Sequence, residues 1–97
     1  MEYLFEIVDK TGRKIHLTKE RASHIIEHPE MTNQIENIKN TLINPLKITR
    51  YIFEEDIFYY YKYFKYRESP AKYLLVIVKY LNGIGFIITS YFVKNIK

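Results

Sequence analysis

The chain has 97 residues, 47% of them hydrophobic, with ten tyrosines and no cysteine. That is enough for one packed core but not for two domains, and it excludes disulfides and cysteine zinc sites. The formal net charge of +4 favours polyanionic partners, because neutralising phosphates releases counterions; the same Ile, Lys, Tyr and Asn bias also follows from AT-rich codons.

The first ten residues, MEYLFEIVDK, mix acids with apolar residues, unlike a secretory signal. The longest aliphatic run, LLVIV at 74–78, is too short to span a membrane. With no cysteine, a soluble protein of the reducing cytoplasm is the expectation, with no membrane partner.

In chain order, YLFEIV (3–8) reads as a strand, DKTG (9–12) as a turn and RKIHL (13–17) as a second strand paired with the first. Thr18 stands where a helix N-cap belongs. A helix follows from Lys19 to His28, ended by Pro29. A second helix is predicted from Met31 to Ile43, with Met31, Ile35, Ile38 and Leu42 on one stripe. The dipeptide NP at 44–45 stops it. Four strands follow: LKITRYIF (46–53), IFYYYKYFKY (57–66), KYLLVIVKYL (72–81) and IGFIITSYF (84–92). Asn82-Gly83 is a hairpin signal, since both residues tolerate positive φ. No repeat or linker interrupts this order. Helices grouped before a run of strands imply an α+β fold: an N-terminal β-hairpin, two helices, then a four-stranded antiparallel sheet in a single domain spanning 1–97.

The first helix carries the chemistry. At about 100° per residue, Ala22, Ile25 and Ile26 face the sheet, while Arg21, His24 and His28 form one polar stripe. Such a stripe lines a cleft or is simply a solvated face. The run His24-Ile25-Ile26-Glu27-His28 also fits the H-x-x-E-H zinc signature. Against zinc stand the proline beside His28, the shortness of the chain, and the lack of a further acidic ligand outside the turn at Glu54, Glu55 and Asp56. A metal-free reading uses the same residues and no cofactor. Histidines can remove the 2′-hydroxyl proton and protonate the leaving oxygen during RNA cleavage, and an arginine can hold the phosphate.

The stretch LTKERASHIIEHPEM, a following helix, NP, strands and the late IITSYFVK together resemble the phage-type barnase–EndoU–colicin–RelE-like nuclease domains, nearest their small stand-alone members. The likeness runs from about residue 16 to residue 94. It implies an α+β fold and metal-independent ribonuclease activity, often as the toxin partnered by an antitoxin protein. It carries over Arg21, His24 and His28 from the helix, with Thr89 and Tyr91 from the last strand. Ser90 stands where the strand motif usually has alanine.

If Asn82-Gly83 forms a two-residue turn, Leu81 pairs with Ile84, Lys79 with Phe86, Val78 with Ile87, Val76 with Thr89 and Leu74 with Tyr91. Thr89 and Tyr91 would then lie on the face opposite Lys79, unless a bulge, for instance at Gly85, shifts the register. Thr89 is the supporting site residue; its hydroxyl and that of Tyr91 can bind phosphate. Both are equally ordinary strand residues. Lys79 is a further RNA contact or an exposed strand end.

The run YYYKYFKYR (59–67) interleaves aromatics with cations, as in surfaces that stack single-stranded RNA. Tyr59, Tyr61, Tyr63 and Lys65 share one face and Phe58, Tyr60, Lys62 and Phe64 the other; one of the two should pack on the helices. Tyr61 is the residue selected as an RNA contact. The leading expectation is a small ribonuclease acting on RNA. Its rival is a non-catalytic RNA- or protein-binding module on the same fold. An uncovered edge strand would invite a second copy of the chain.

Overall fold

The structure, a computed structural model, describes residues 2–97. Its elements are β1 (Tyr3–Val8), β2 (Lys14–Thr18), α1 (Lys19–Ile26), a short 3-10 turn (Pro29–Met31), α2 (Ile35–Ile43), β3 (Lys47–Arg50), β4 (Ile57–Tyr63), β5 (Tyr73–Leu81) and β6 (Ile84–Val93). The class is α+β, but the sheet is larger than the four-stranded antiparallel one expected. Six strands run in the order β1-β2-β6-β5-β4-β3, and β2 lies parallel to β6. The N-terminal hairpin therefore extends the main sheet. Sequence patterning missed this because the joint links strands far apart in the chain with no turn between them. It rests on only two register pairs, Ile15 with Gly85 and His16 with Phe86.

Both helices pack on one face. Ile15 and Leu17 of β2, Leu74, Val76 and Val78 of β5, and Met31, Ile38 and Leu42 beneath the helices are closed to solvent. Each such aliphatic side chain stabilises the fold by roughly 1.5–3 kcal/mol. Gly85 makes the β2–β6 joint possible. A Cβ there would stand 2.9 Å from Ile15 Cγ1 and 2.9 Å from Tyr80 Cε1, so the missing side chain lets the hairpin close against the sheet.

Local signals explain the element ends. The Thr18 hydroxyl accepts from the Arg21 N–H at 3.1 Å, capping α1 as expected. The helix stops at Ile26, before the predicted His28. His28 is extended (φ −74°, ψ 125°), as the residue before a proline must be. The second helix starts later than expected, at Ile35; Met31 belongs to the 3-10 turn, and Asn33 breaks the path with a φ of 66°. Ile26, assigned to the buried stripe, is 45% exposed, because Ala22 and Ile25 alone fill the contact. Asn82 and Gly83 both take positive φ, closing the β5–β6 hairpin in the two-residue turn their sequence demands.

Candidate functional site

The β5–β6 ladder departs from a simple hairpin at one position. Leu81–Ile84, Lys79–Phe86 and Val78–Ile87 pair as expected, but Ile77 then faces Thr89 and Leu75 faces Tyr91. Ile88 is left over as a β-bulge. This corrects the expected Val76–Thr89 and Leu74–Tyr91 pairs and moves the bulge from Gly85 to Ile88. One extra residue reverses every later side chain. Thr89 and Tyr91 consequently share the helix-free face with Lys79, while Ser90 turns inward and its hydroxyl donates to the Leu75 carbonyl at 2.7 Å.

Beside the bulge, β2 has finished pairing with β6 and turns into α1. A groove of about 310 Å³ opens there, and Arg21, Lys79, His16 and Phe86 line it together with Thr18, Glu20 and Ile88. Arg21 comes from the first turn of α1, held by the Thr18 cap. Lys79 projects from the helix-free face of β5 and is paired with Glu54 at 2.9 Å. Glu20 shares the rim with Arg21, so acids temper the groove's positive charge.

His16 was not singled out from the sequence. It is 6% exposed and stacks on Tyr3 with ring centroids 4.2 Å apart. Its Nε2 is bonded to the Glu6 carboxylate directly across the β1–β2 hairpin. Its Nδ1 is buried with no hydrogen-bond partner. The signal was available in part: a hairpin closed by the 9–12 turn puts Glu6 opposite His16, but nothing local reveals that β6 seals the imidazole.

The other predicted residues disperse. His24 and His28 are exposed and do not line the groove; His28 lies beyond the helix, so the spacing of the zinc-like motif is not carried on continuous helical turns. Among the described residues no three His, Asp or Glu side chains cluster as a metal site. Thr89 is half-buried and Tyr91 is 39% exposed. Tyr61 lies on the helix-free face but is 1% exposed; its hydroxyl accepts from the Lys97 backbone N–H at 3.3 Å, so the C-terminal residues occupy the phenol offered to RNA. Tyr51 and Tyr59 stack nearby with centroids 5.8 Å apart. Burial, then crowding by the phenols of Tyr51, Tyr91 and Tyr61, pushes the Tyr59 hydroxyl above its ordinary pKa.

A roomier groove, about 480 Å³, is elsewhere. It lies between the start of α2 and the 64–67 loop, lined by Lys62, Lys65, Arg67, Tyr66 and Phe92. It takes the cations of the aromatic run away from the tyrosine face, and the Arg67 guanidinium stacks over Phe92 at 3.6 Å. It shares no lining residue with the Arg21 groove.

A second buried titratable cluster sits under the hairpin turn. One Asp9 carboxylate oxygen accepts from the Thr11 N–H (3.0 Å), the Thr11 hydroxyl (2.7 Å) and the Arg13 N–H (2.9 Å). The other accepts from the hydroxyls of Tyr60 and Tyr80. Burial opposes ionisation of Asp9, but the donors outweigh it, Tyr60 and Thr11 foremost, and hold the carboxyl below its usual value. Burial foremost pushes the Tyr80 hydroxyl up to about 12, and burial with the bond to Asp9 raises Tyr60 further. Both phenols therefore remain donors. Arg13 lies over the Tyr80 ring at 3.7 Å.

No helix among the described residues is long and apolar enough to cross a membrane. Comparison with protein-family models, curated proteins and solved structures finds no match to this chain.

Proposed function

We propose that the protein is a metal-independent ribonuclease that cleaves RNA phosphodiesters at the groove between α1 and the β6 bulge, and that it acts as the toxin partner of an antitoxin protein. The observation that carries this reading is the convergence of Arg21 and Lys79, distant in sequence, on one groove beside the helix-free face. Two cations suit a phosphate and the negative charge it gains in the transition state. The bulge adds support by putting the hydroxyls of Thr89 and Tyr91 on the same face as Lys79, where a strand of RNA leaving the groove would run. The tyrosines there offer stacking surfaces for its bases.

In this reading Arg21 holds the phosphate, with Thr89 supporting. His24, one helical turn from Arg21, is the nearer of the two helix histidines for proton transfer, and His28 serves only if the chain before Pro29 moves. The products are a 2′,3′-cyclic phosphate and a free 5′-hydroxyl. The exposed edges of β1 and β3 are where an antitoxin or a second copy would add a strand.

The exposure of His24 and His28 outside the groove favours a second reading, a non-catalytic RNA- or protein-binding module using the tyrosine face. Comparing His24→Ala with the unaltered protein separates the two. Lost cleavage with retained RNA binding supports the enzyme; equal loss of both removes the case for His24 as a catalytic residue.

A further inference from the structure

We infer that His16, oriented by Glu6, is the base of this groove and accepts the 2′-hydroxyl proton of a bound ribonucleotide. The inference rests on the ribonuclease reading and assigns its base to a residue outside the α1 motif.

Three observations combine. A carboxylate can only accept, so Nε2 donates to Glu6, and in the neutral imidazole Nδ1 is then the acceptor. Nδ1 is buried and has no hydrogen-bond partner, an arrangement that costs stability and that an apolar residue would avoid. The same side chain lines the groove that holds Arg21 and Lys79. A histidine fixed through one nitrogen by a carboxylate, with the other nitrogen unpartnered, is the base–orienter arrangement of acid–base catalysis. Tyr3 covers the imidazole from the start of β1, where the extra residue Leu4 interrupts the ladder. Tyr3 is 42% exposed, and the assignment requires the cover over Nδ1 to open when a ribose binds.

The O2′ proton passes to Nδ1 while O2′ forms a bond to phosphorus. The P–O5′ bond breaks with its electron pair on O5′, which takes a proton from water at the open rim. Nδ1 returns its proton to solvent. Glu6 and Tyr3 of β1 touch His16; Lys79 of β5, paired with Glu54, and Arg21 and Glu20 of α1 line the same groove. Glu6 is a positioning residue, since it acts through the imidazole.

The test uses the full chain in excess EDTA. His16→Gln should reduce RNA cleavage by about 100-fold or more with KM little changed, and Glu6→Gln should lower kcat while leaving KM. In the unaltered protein, mixed ribonucleoside 3′-monophosphates should shift the His16 Nδ1 nitrogen resonance, whereas their 2′-deoxy counterparts should not. If His16→Gln fails to fold, Glu6→Gln and the resonance carry the test. Undiminished cleavage by folded His16→Gln, or an Nδ1 resonance unmoved by the ribonucleotides, overturns the assignment and leaves the ribonuclease reading standing. Failure of the unaltered protein to cleave any RNA overturns both.

Discussion

Asp9 and His16 are buried polar residues of the same N-terminal hairpin, and they are treated in opposite ways. Asp9, on the helix side, has both carboxylate oxygens occupied, by two backbone N–H groups and three hydroxyls. His16, on the open side, has one nitrogen bonded and the other without a partner. A fully satisfied buried group ties elements together: here the turn, β4 and β5. An unsatisfied one beside a groove marks a place where the fold gives up stability for something else. In the proposed reading, the difference separates the part of the hairpin that holds the sheet from the part that would meet the RNA.

The strongest way to break this division is at Arg21. Arg21→Ala should lower RNA cleavage by about 100- to 1,000-fold and leave the unfolding midpoint unchanged, since the side chain is exposed; a large loss of stability would show Arg21 to be structural. Asp9→Ala should cost on the order of 2–3 kcal/mol in urea unfolding, because Tyr60 and Tyr80 lose their buried acceptor. An unchanged midpoint would remove the knot from the account.

The same residue sets an acid limit. The unfolded carboxyl titrates near 3.8 and the folded one lower, so below 3.8 the unfolded chain binds more protons. The Asp9 contribution is therefore complete above that value and drains away as pH falls through the folded pKa. Asp9→Asn should flatten that dependence in urea titrations. Gly85→Ala should cost roughly 1–3 kcal/mol by forcing Ile15 and Tyr80 from the new Cβ; thermal melting checks it. The smallest stability effect sharpens the comparison most. His16→Leu should change stability by less than about 1 kcal/mol, because it removes the orphaned nitrogen and leaves Glu6 free to hydrate, yet it should abolish cleavage.

The local features of this fold could be read from residues. Thr18 announced the start of α1 and Asn82-Gly83 the β5–β6 turn; alternation split β4 into two faces without showing that the one with Tyr60 packs inward. Pairings set by tertiary contact could not. The parallel β2–β6 joint has no turn to announce it. The bulge at Ile88 leaves no mark in a run of apolar residues, yet it decides which face Thr89 and Tyr91 occupy. At the site, Arg21 and Lys79 were named from sequence, but their meeting depends on that joint. His16 was not singled out, because its burial depends on β6 and Tyr3 closing around it. Alternation separated Tyr61 from Tyr60, but the cover on Tyr61 comes from the C-terminal residues, which no pattern in the β4 run foretells.

The most direct measurement is cleavage of single-stranded RNA by the purified protein in excess EDTA, alongside Arg21→Ala. The account predicts cleavage by the unaltered protein with cyclic phosphate ends, and its loss in the variant while both remain folded. RNA bound by the unaltered protein but left intact, or cut only when a divalent metal is restored, would contradict it.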